Sequence, residues 1–549
     1  MCSCIKGILM YTLRLFRKQY VYVDIATLIR LQVFDSSICE PVSKIVNFKR
    51  SQDGPELTLF DYLNTCSSTL GSRLLSQWLR VPLKDDEELH RRQYAVEFLT
   101  RSANRGLHKL LVGCIKRVGN IQRVLTKMHA SSAASNEWKM LIQTLQSLKS
   151  IMEICRHHPE LSVPMDTPDN VPPPWQILHS LLEKIVETID MSSTSSHKRF
   201  IVKQGHHAWL DEWKQIYRCL PDILSRLAEH ELNRLRGHVD ACGLIYFPLV
   251  RFKHIISFGL AYLLTITLWQ CLLELDKRYG DVMYAILDAE TSIMHELQEE
   301  ILKAAKPLLC LLDFATELDC ICALATAAIR MNGVKPRMVS ESRVTIRGGR
   351  HILYEALHTN YRTNSFISPT EKGSVTLVTG PNASGKTMFI KQVTNTRRLP
   401  TPTEIGLIVY LAHIGSFVPA DCATIPLMDA IMALMPADIE RQAKTQEFLS
   451  DASWLATALR YASANSLLLL DEFPYFSDQV ARKSLFLGFL EYMSQRDSSH
   501  VIVTGLNMNW AKQLLQPLVP NINLRVCTKM QTPQPVERID RNGSERVHQ

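Results

Sequence analysis

One short segment of the sequence combines the residue types that bind nucleotide phosphates. It follows an apolar run, fits the pattern G-x-x-x-x-G-K-[ST] at every fixed position, and precedes a predicted helix. The glycines let the backbone curl so that several N–H groups point at one phosphate, and the helix adds its positive dipole end. We therefore predict that the nucleotide-binding residues are Gly380, Pro381, Asn382, Ala383, Ser384, Gly385, Lys386 and Thr387.

A second segment supplies carboxylates. The apolar run Leu467–Leu470 predicts a buried strand, and Asp471 and Glu472 follow it directly. Such an acidic ending is weak by itself, but it follows the phosphate loop in the same α/β region. We expect Lys386 to reach the β- and γ-phosphates of ATP and Thr387 to bind Mg²⁺. Asp471 would hold Mg²⁺ through water, and Glu472 would polarise the attacking water as the catalytic residue.

Two weaker candidates have structural alternatives. Phe366 precedes the strand that enters the phosphate loop and could stack on the adenine base, or it could be an ordinary core residue. Lys198, Arg199 and Lys203 form a small basic patch that could contact DNA, or they could belong to a solvated charged face.

The predicted secondary structure that positions these residues changes near residue 335. Beyond it, β-rich runs alternate with helical stretches, which favours a mostly parallel sheet covered by helices. The predicted strands are Arg343–Ile346, Ser374–Thr379, Ser466–Leu470 and Val501–Thr504. Before residue 335 the periodicity is helical. One helix is expected over residues 57–83, ending at Pro82, and a proline-rich linker over 164–174.

A later helix carries a regularly spaced apolar stripe, which predicts one buried face. Its members are Leu311, Phe314, Leu318, Ile321 and Ala325.

Composition narrows the class of protein. The chain has 549 residues, of which 46% are hydrophobic and 21% charged, so we expect a folded multidomain protein. Its net charge of +8 is compatible with a polyanionic partner without requiring one. The 14 cysteines lack zinc-site spacing and are interpreted as reduced thiols of an intracellular protein. The uncharged stretch Ile255–Leu273 contains Ser, Thr, Gly and Gln, which favours a buried helix over a membrane span.

Several separate motifs resemble the MutS family of DNA mismatch and recombination ATPases. They include the loop with Asn382, the sequence Phe-Ile-Lys-Gln-Val at 389–393 and Gly-Ser-Phe-Val-Pro-Ala at 415–420. Gly349-Arg350-His351 resembles the entry to the ATPase domain, and residues 58–83 resemble the start of the helical core. Together the resemblance covers residues 22–525, and it is strongest to the meiotic branch of the family.

The resemblance implies a helical core, lever and clamp region followed by a P-loop ATPase domain of the ABC type. The implied function is an ATP-gated clamp on double-stranded or branched DNA that promotes meiotic crossovers, with MutS homolog four as heterodimer partner and the nucleus and its chromosomes as location. The implied segments are an N-terminal stretch 1–21, core and lever 22–204, a clamp-like helical region 205–275, returning lever helices 276–334, the ATPase domain 335–525 and a polar tail 526–549.

Some positions depart from the family pattern. Residues 394–405 look inserted, either as a loop or as retained non-coding sequence. Residues 446–449 replace the family's Ser-Thr-Phe-Met, residues 474–477 replace Gly-x-Gly-Thr, and a histidine expected after Val501–Thr504 is missing. The C-terminal dimerisation segment is not recognised.

These departures support the hypothesis that the chain binds ATP and turns it over poorly. Three alternatives stay open: a mismatch-repair recognition subunit, a catalytically inactive interaction subunit, and a motor of another P-loop type.

Overall fold

The computed structural model describes residues 19–34, 57–161, 173–197, 199–234, 241–247, 251–257, 276–357, 363–368, 374–379, 404–434, 453, 455–463, 465–471, 479–494, 500–505 and 522–526. These residues belong to two compact units. The first unit combines residues 1–112 with 317–549, and the second consists of residues 113–316.

The helices, numbered α1 to α15 in chain order, are Ile25–Arg30, Leu59–Leu63, Thr69–Arg80, Asp86–Thr100, Arg105–Ile115, Ile121–His129, Ser135–His157, Pro174–Thr188, Met191–His197, Ala208–Arg234, Val282–Lys303, Ala305–Arg330, Ile352–Leu357, Glu404–Ile414 and Gln479–Ser494. The strands, numbered β1 to β12, are Tyr22–Val23, Ala241–Phe247, Arg251–Ser257, Arg337–Val339, Thr345–Gly349, Asn364–Ile367, Ser374–Thr379, Cys422–Pro426, Ala430–Leu434, Ser466–Asp471, His500–Gly505 and Ile522–Val526.

The first unit contains a six-stranded sheet in the order β1-β9-β10-β11-β7-β12, in which every pair is parallel. Its strands are short apolar runs; the leucines at 467–470 and the residues at 501–503 are almost fully buried. Buried residues of α15 pack on these strands as part of the same core. The strands predicted at 374–379, 466–470 and 501–504 are therefore confirmed, and so is the mostly parallel arrangement.

The start of the described chain belongs to this sheet. Tyr22 and Val23 pair in parallel with Ala430 and Ile431 at the sheet edge. The amide of Ala433 donates a 2.8 Å hydrogen bond to the hydroxyl of Thr27. The resemblance implied that residues 22–204 form core and lever. Pairing with β9 shows that β1 belongs instead to the six-stranded sheet, because an edge strand needs a partner that local sequence does not identify.

Residues 57–83 form two helices, so the single predicted helix is wrong. Thr58 and Asp61 cap the first helix reciprocally, and the Ser68 hydroxyl accepts the amide of Gly71 at the start of the second. The polar residues between the helices favour capping over helix continuation. The stripe predicted for α12 is confirmed, since its five residues are at most 4% exposed.

A second sheet of the first unit has the order β4-β8-β5-β6. Strand β5 begins at Thr345 and ends at Gly349, so the strand predicted over 343–346 is shifted along the chain. The β5–β6 register shifts between Ile346 and Gly349. Gly348 in this segment has φ +59°, a left-handed conformation that glycine adopts at little cost.

The described residues of the second unit form helices and an antiparallel hairpin. Strands β2 and β3 pair from Ala241↔Ser257 to Phe247↔Arg251. Leu244 of β2 packs in a core with α10 and α11. The helical reading of 205–275 is therefore wrong for residues 241–247 and 251–257, whose backbones pair as antiparallel strands, because the β-branched and aromatic residue types in these runs favour strands.

Other expectations fall outside the described residues. The uncharged stretch from Ile255 belongs to β3 as far as Ser257, and its remainder is not described. Most of the inserted segment, most of the linker and almost the whole tail are likewise outside. Within the part of the chain that the structure describes, no helix is both long enough and apolar enough to cross a membrane.

Candidate nucleotide-binding site

The strand before the predicted phosphate loop and the strand that ends at Asp471 have their carboxyl ends on the same side of the parallel sheet, with one strand between them. Strand β7 ends at Thr379, directly before the predicted phosphate loop, and β10 ends at Asp471. Strand β11 lies between them: its Thr504 is the Cα partner of Asp471 on one side and of Val378 on the other. Since adjacent strands lie about 4.8 Å apart, the backbones of Asp471 and Val378 are roughly 10 Å apart.

Open parallel α/β sheets bind ligands outside the carboxyl ends of their strands. Both β7 and β10 thus end on the side of the sheet where the site is expected. The residues Gly380 to Thr387 and Glu472 lie outside the described residues, as does the side chain of Asp471. Their individual roles stay predictions.

The spacing of the strands fits the Mg²⁺ role predicted for Asp471. Magnesium usually retains several waters and binds through one or two carboxylates together with substrate phosphates. With β11 between β7 and β10, the ion would lie beyond the carboxyl ends of the strands, where Asp471 would contact it through water. Among the described residues, no group of three or more His, Cys, Asp or Glu side chains could hold a metal by itself.

Phe366, the predicted base-stacking residue, lies on β6 opposite Ile346 of β5. Its side chain is 2% exposed. That burial is what the alternative reading as a core residue expects. The base contact stays a prediction, since no contact with the phosphate-loop residues is described.

The Gly-Ser-Phe-Val-Pro-Ala turn is held against the helical core by Arg92 of α4. The Arg92 side chain is 6% exposed, and its Nη1 donates to the carbonyl of Ile414, the last residue of α14, at 3.3 Å. Its guanidinium lies 3.4 Å from the centroid of the Trp78 ring, and its Nε donates to Glu88 at 2.8 Å. One buried arginine therefore connects α3 and α4 to the end of α14.

His413 makes a second connection at the end of α14. The amide of Met428 donates to its Nε2 at 2.9 Å, so its Nδ1 carries the proton and donates to the carbonyl of Val409 at 2.8 Å. Complete burial lowers the pKa of His413 to about 4. The imidazole is therefore neutral near pH 7 and serves as a structural link between the helix and the segment leading into β9.

Arg350, in the motif at the predicted domain entry, closes the C-terminal end of α12. Its Nη2 donates to the carbonyls of Met331 and Asn332 at 2.8 and 2.7 Å. Its Nη1 pairs with Glu355 at 2.8 Å. Because the last carbonyls of a helix lack intrahelical partners, a cation there satisfies both hydrogen bonding and the helix dipole.

The predicted basic patch lies in the second unit, whereas the nucleotide segments lie in the first. Lys203 is exposed, and its backbone amide donates to the carbonyl of Thr188 at 2.8 Å. Arg199 is half-buried, and Lys198 lies outside the described residues. A DNA contact at these three positions stays a prediction.

Neither Arg92 nor His413 was predicted from the sequence as a connecting residue. A signal was present for the arginine, because Glu88 and Arg92 are four residues apart on one helix. Their long-range partners had no signal in local sequence: Arg92 and Ile414 are 322 residues apart.

Comparison with protein families matches two domain models. Residues 26–325 match MutS domain III, and residues 376–542 match MutS domain V. The second match contains the predicted phosphate loop and both carboxylates.

Matches to individual relatives extend over most of the chain. It is 26% identical over 461 residues to MutS protein homolog 5 of Caenorhabditis elegans, a match that spans 81% of this chain and 32% of the worm protein. The yeast Saccharomyces cerevisiae homolog 5 is 27% identical over 81% of this chain and 53% of its own length. DNA mismatch repair protein MutS of a Thermotoga species is 28% identical over 75% of this chain and 50% of its own length. The chain thus spans about half or less of the length of these relatives, and it belongs to the MutS family.

Proposed function

We propose that this chain is the ATP-gated, DNA-binding subunit of a MutS-type clamp that acts on branched recombination intermediates and promotes meiotic crossovers. The single observation that supports the nucleotide part is the register of β7, β11 and β10: the strand before the predicted phosphate loop and the strand that ends at Asp471 finish at the same end of the sheet. The similarity to MutS protein homolog 5 of worm and yeast supports the recombination role.

The proposed site works through residues of this chain. Main-chain amides of 380–385 bind the phosphates, and Lys386 neutralises the β- and γ-phosphates. Thr387 and Asp471 hold Mg²⁺, which supplies positive charge to the transferring phosphoryl group. Glu472 orients and polarises the attacking water. Stacking of Phe366 on the adenine requires its ring, which is 2% exposed, to become accessible.

Nucleotide state reaches the helical core through α14. This helix is buried along its whole length, and the chain connects its start to the phosphate loop. The Arg92 contact and the hydrogen bond from the Tyr410 hydroxyl to the carbonyl of Leu79 join α14 to α3 and α4. Because a close-packed interior deforms little, a displacement of α14 is passed on to α3 and α4.

The proposed partners are double-stranded or branched DNA and MutS homolog four, with the nucleus as location. DNA binding is directed mainly to phosphates and therefore weakens with salt. Lys198, Arg199 and Lys203 contribute to it. Turnover of ATP is slow, because residues 446–449 and 474–477 depart from the family pattern on the side that would face a partner.

Equilibrium binding of labelled ATP to the full chain tests the nucleotide site. Lys386→Ala removes the central cation and is expected to weaken binding more than tenfold, whereas Lys306→Ala, an exposed lysine of α12, is expected to leave it unchanged. Equal retention of label by wild type and Lys386→Ala would contradict the site. Hydrolysis is then compared with Glu472→Gln; identical rates for the two proteins support the catalytically inactive alternative.

Binding to four-way junction, matched duplex and single-mismatch duplex tests the DNA substrate. The chain, alone and with MutS homolog four, is expected to bind the junction most tightly, with a salt dependence that ATP reduces. Preference for the mismatched duplex would instead support the mismatch-repair alternative, which the similarity to the Thermotoga mismatch repair protein favours.

A further inference from the structure

The positive charge of this chain is concentrated in one segment. Residues 98–136 contain seven Lys or Arg and no Asp or Glu, so they carry +7, whereas the full sequence carries +8. The described ion pairs of this segment are formed by its first and last basic residues, Arg101 with Glu97 and Lys127 with Glu137. The five basic residues between them lie in a stretch without a single carboxylate and have no part in the proposed nucleotide site.

Helix α5 presents part of this charge on one face. Arg105 and Lys109 are one turn apart, and Lys116, in the turn that follows the helix, continues their row. All three side chains are exposed. At about 1.5 Å per residue, the row is about 16 Å long. The opposite face of the helix packs inward, and its buried residues are Leu111, Cys114 and Ile115.

The exposed side of α5 also carries two glycines that packing within the chain does not explain. Gly106 and Gly113 are exposed, and a Cβ added to either would have no atom of the described structure within 4 Å. Glycine inside a helix is destabilising relative to alanine, and one of its uses is to let a ligand approach the backbone closely. A large ligand on this side of α5 would therefore lie close to the helix and within reach of Arg105 and Lys109.

We infer that this exposed side, formed by Arg105, Gly106, Lys109, Gly113 and Lys116 and called the α5 face below, is a further DNA-binding surface that contacts the phosphates of a double helix. The inference rests on the proposed function, because it assumes that the chain acts on DNA. A branched DNA molecule has several duplex arms, so a surface other than the predicted basic patch can bind a second arm.

The length and charge of the α5 face favour duplex phosphates over other anions. One DNA strand carries a charge about every 3.4 Å along the helix axis, so a row of about 16 Å faces about five phosphates. Phosphate contacts fix the position of a protein on DNA without reading its sequence. The five residues of the face include no aromatic side chain on which an unpaired base could stack. A stiff, evenly charged duplex also loses less conformational entropy on binding than a flexible acidic peptide.

Fluorescence anisotropy of a labelled duplex, titrated with the full chain, tests the inference. The double variant Arg105→Glu, Lys109→Glu is expected to weaken binding about tenfold or more. It should also make the slope of log K against log salt shallower by about two, one for each lost phosphate contact. The control Lys303→Glu, Lys306→Glu reverses two other exposed lysines and changes the net charge equally. Its affinity should stay close to that of the wild type.

A neutral substitution separates close approach from charge. Gly113→Gln adds a side chain to the α5 face where the described structure leaves space for it. It is expected to weaken duplex binding about threefold or more, because it keeps the DNA backbone farther from the cations. Gly488→Gln changes an exposed glycine of α15 with the same free space and should leave binding unchanged. Circular dichroism of all variants checks that they are folded.

Lysine acetylation reports the contact directly. Acetylated chains are cleaved by trypsin only at arginine, so Lys109 and Lys116 share the peptide 106–117. Bound duplex is expected to protect both lysines from acetylation, whereas Lys306 should react equally with and without DNA.

Three outcomes would overturn the inference. If the α5 and control reversals weaken duplex binding equally, or if DNA leaves the acetylation of Lys109 and Lys116 unchanged, the α5 face does not bind DNA, while the proposed function stands. If polyglutamate displaces the duplex at equal charge concentration, the face instead fits an acidic protein partner. A wild-type chain that binds neither duplex nor four-way junction would contradict the proposed function together with this inference.

Discussion

The side chain of Arg92 fills the space in which a side chain on Gly415 would lie. A Cβ built on Gly415 would be 2.8 Å from the Arg92 Cβ and 3.0 Å from its Cδ. Gly415 also has φ +86°, in the left-handed region. The turn after α14 and the buried arginine of α4 are therefore mutually dependent.

Gly415→Ala is expected to lower the free energy of unfolding by about 2–4 kcal/mol, because it combines a strained backbone with overpacking against Arg92. Urea denaturation measures the change. Gly488→Ala is the matched control: it lies within α15 with no atom within 4 Å of the added Cβ, and should be neutral or stabilising by up to about 1 kcal/mol. Equal effects of the two substitutions would contradict the Arg92 contact.

The buried Asp319 carboxylate accepts the amides of Ser67 and Ser68, each at 2.9 Å, and the hydroxyl of Ser68 at 2.7 Å. Asp319→Asn is expected to cost about 3 kcal/mol of stability, because an amide group would face these donors in place of a carboxylate oxygen. The measurement is again denaturant unfolding of the full chain. Asp313→Asn, on the exposed side of the same helix, should change stability by less than about 0.5 kcal/mol. A loss as small as that of the control would show that the three hydrogen bonds to Asp319 are not formed.

Stability is expected to fall between pH 6.5 and 4. Burial lowers the pKa of His413 to about 4, below the value of 6.5 expected in the unfolded chain. The unfolded state therefore binds a proton that the folded state excludes, and stability present above pH 6.5 is lost progressively down to the folded pKa. The shift corresponds to about 3 kcal/mol.

Unfolding measured across this range in wild type and His413→Asn separates the contribution of this group. The variant keeps a donor and an acceptor but cannot be protonated, so its stability should decline less steeply with acid. Burial also lowers the pKa of His500 to about 4, and that group is unchanged in both proteins. Parallel pH profiles would rule out His413 as a source of the acid sensitivity.

Tyr246→Phe is expected to destabilise the second unit by about 1–2 kcal/mol. The Tyr246 hydroxyl donates to Asp281, which caps α11, and accepts the amide of Met283 at 3.0 Å. Hydrogen exchange should show faster exchange in β2 and at the start of α11. Tyr284→Phe, an exposed tyrosine of the same helix, should leave exchange unchanged. Faster exchange in Tyr284→Phe but not in Tyr246→Phe would contradict the hydrogen bonds of Tyr246 at the start of α11.

Much of the P-loop domain was predictable from local sequence. The runs that became β7, β10 and β11 have strand composition, and their described apolar side chains are buried. The stripe on α12 was visible because helical periodicity repeats every three or four residues. The break between α2 and α3 was missed because apolar residues on both sides keep the same period, and capping by Ser68 outweighs it.

What the sequence by itself indicated is the chemistry, through a predicted phosphate loop, a strand followed by carboxylates, and the family motifs around them. Those signals are local because each depends on the residue types at a few neighbouring positions. Only the tertiary structure decided which distant groups meet. Strand β11 separates β7 from β10, Tyr22 joins the far edge of the sheet, and Asp319 holds Ser68 across 251 residues. Packing of buried surfaces selects such pairs, and no short stretch of sequence encodes it.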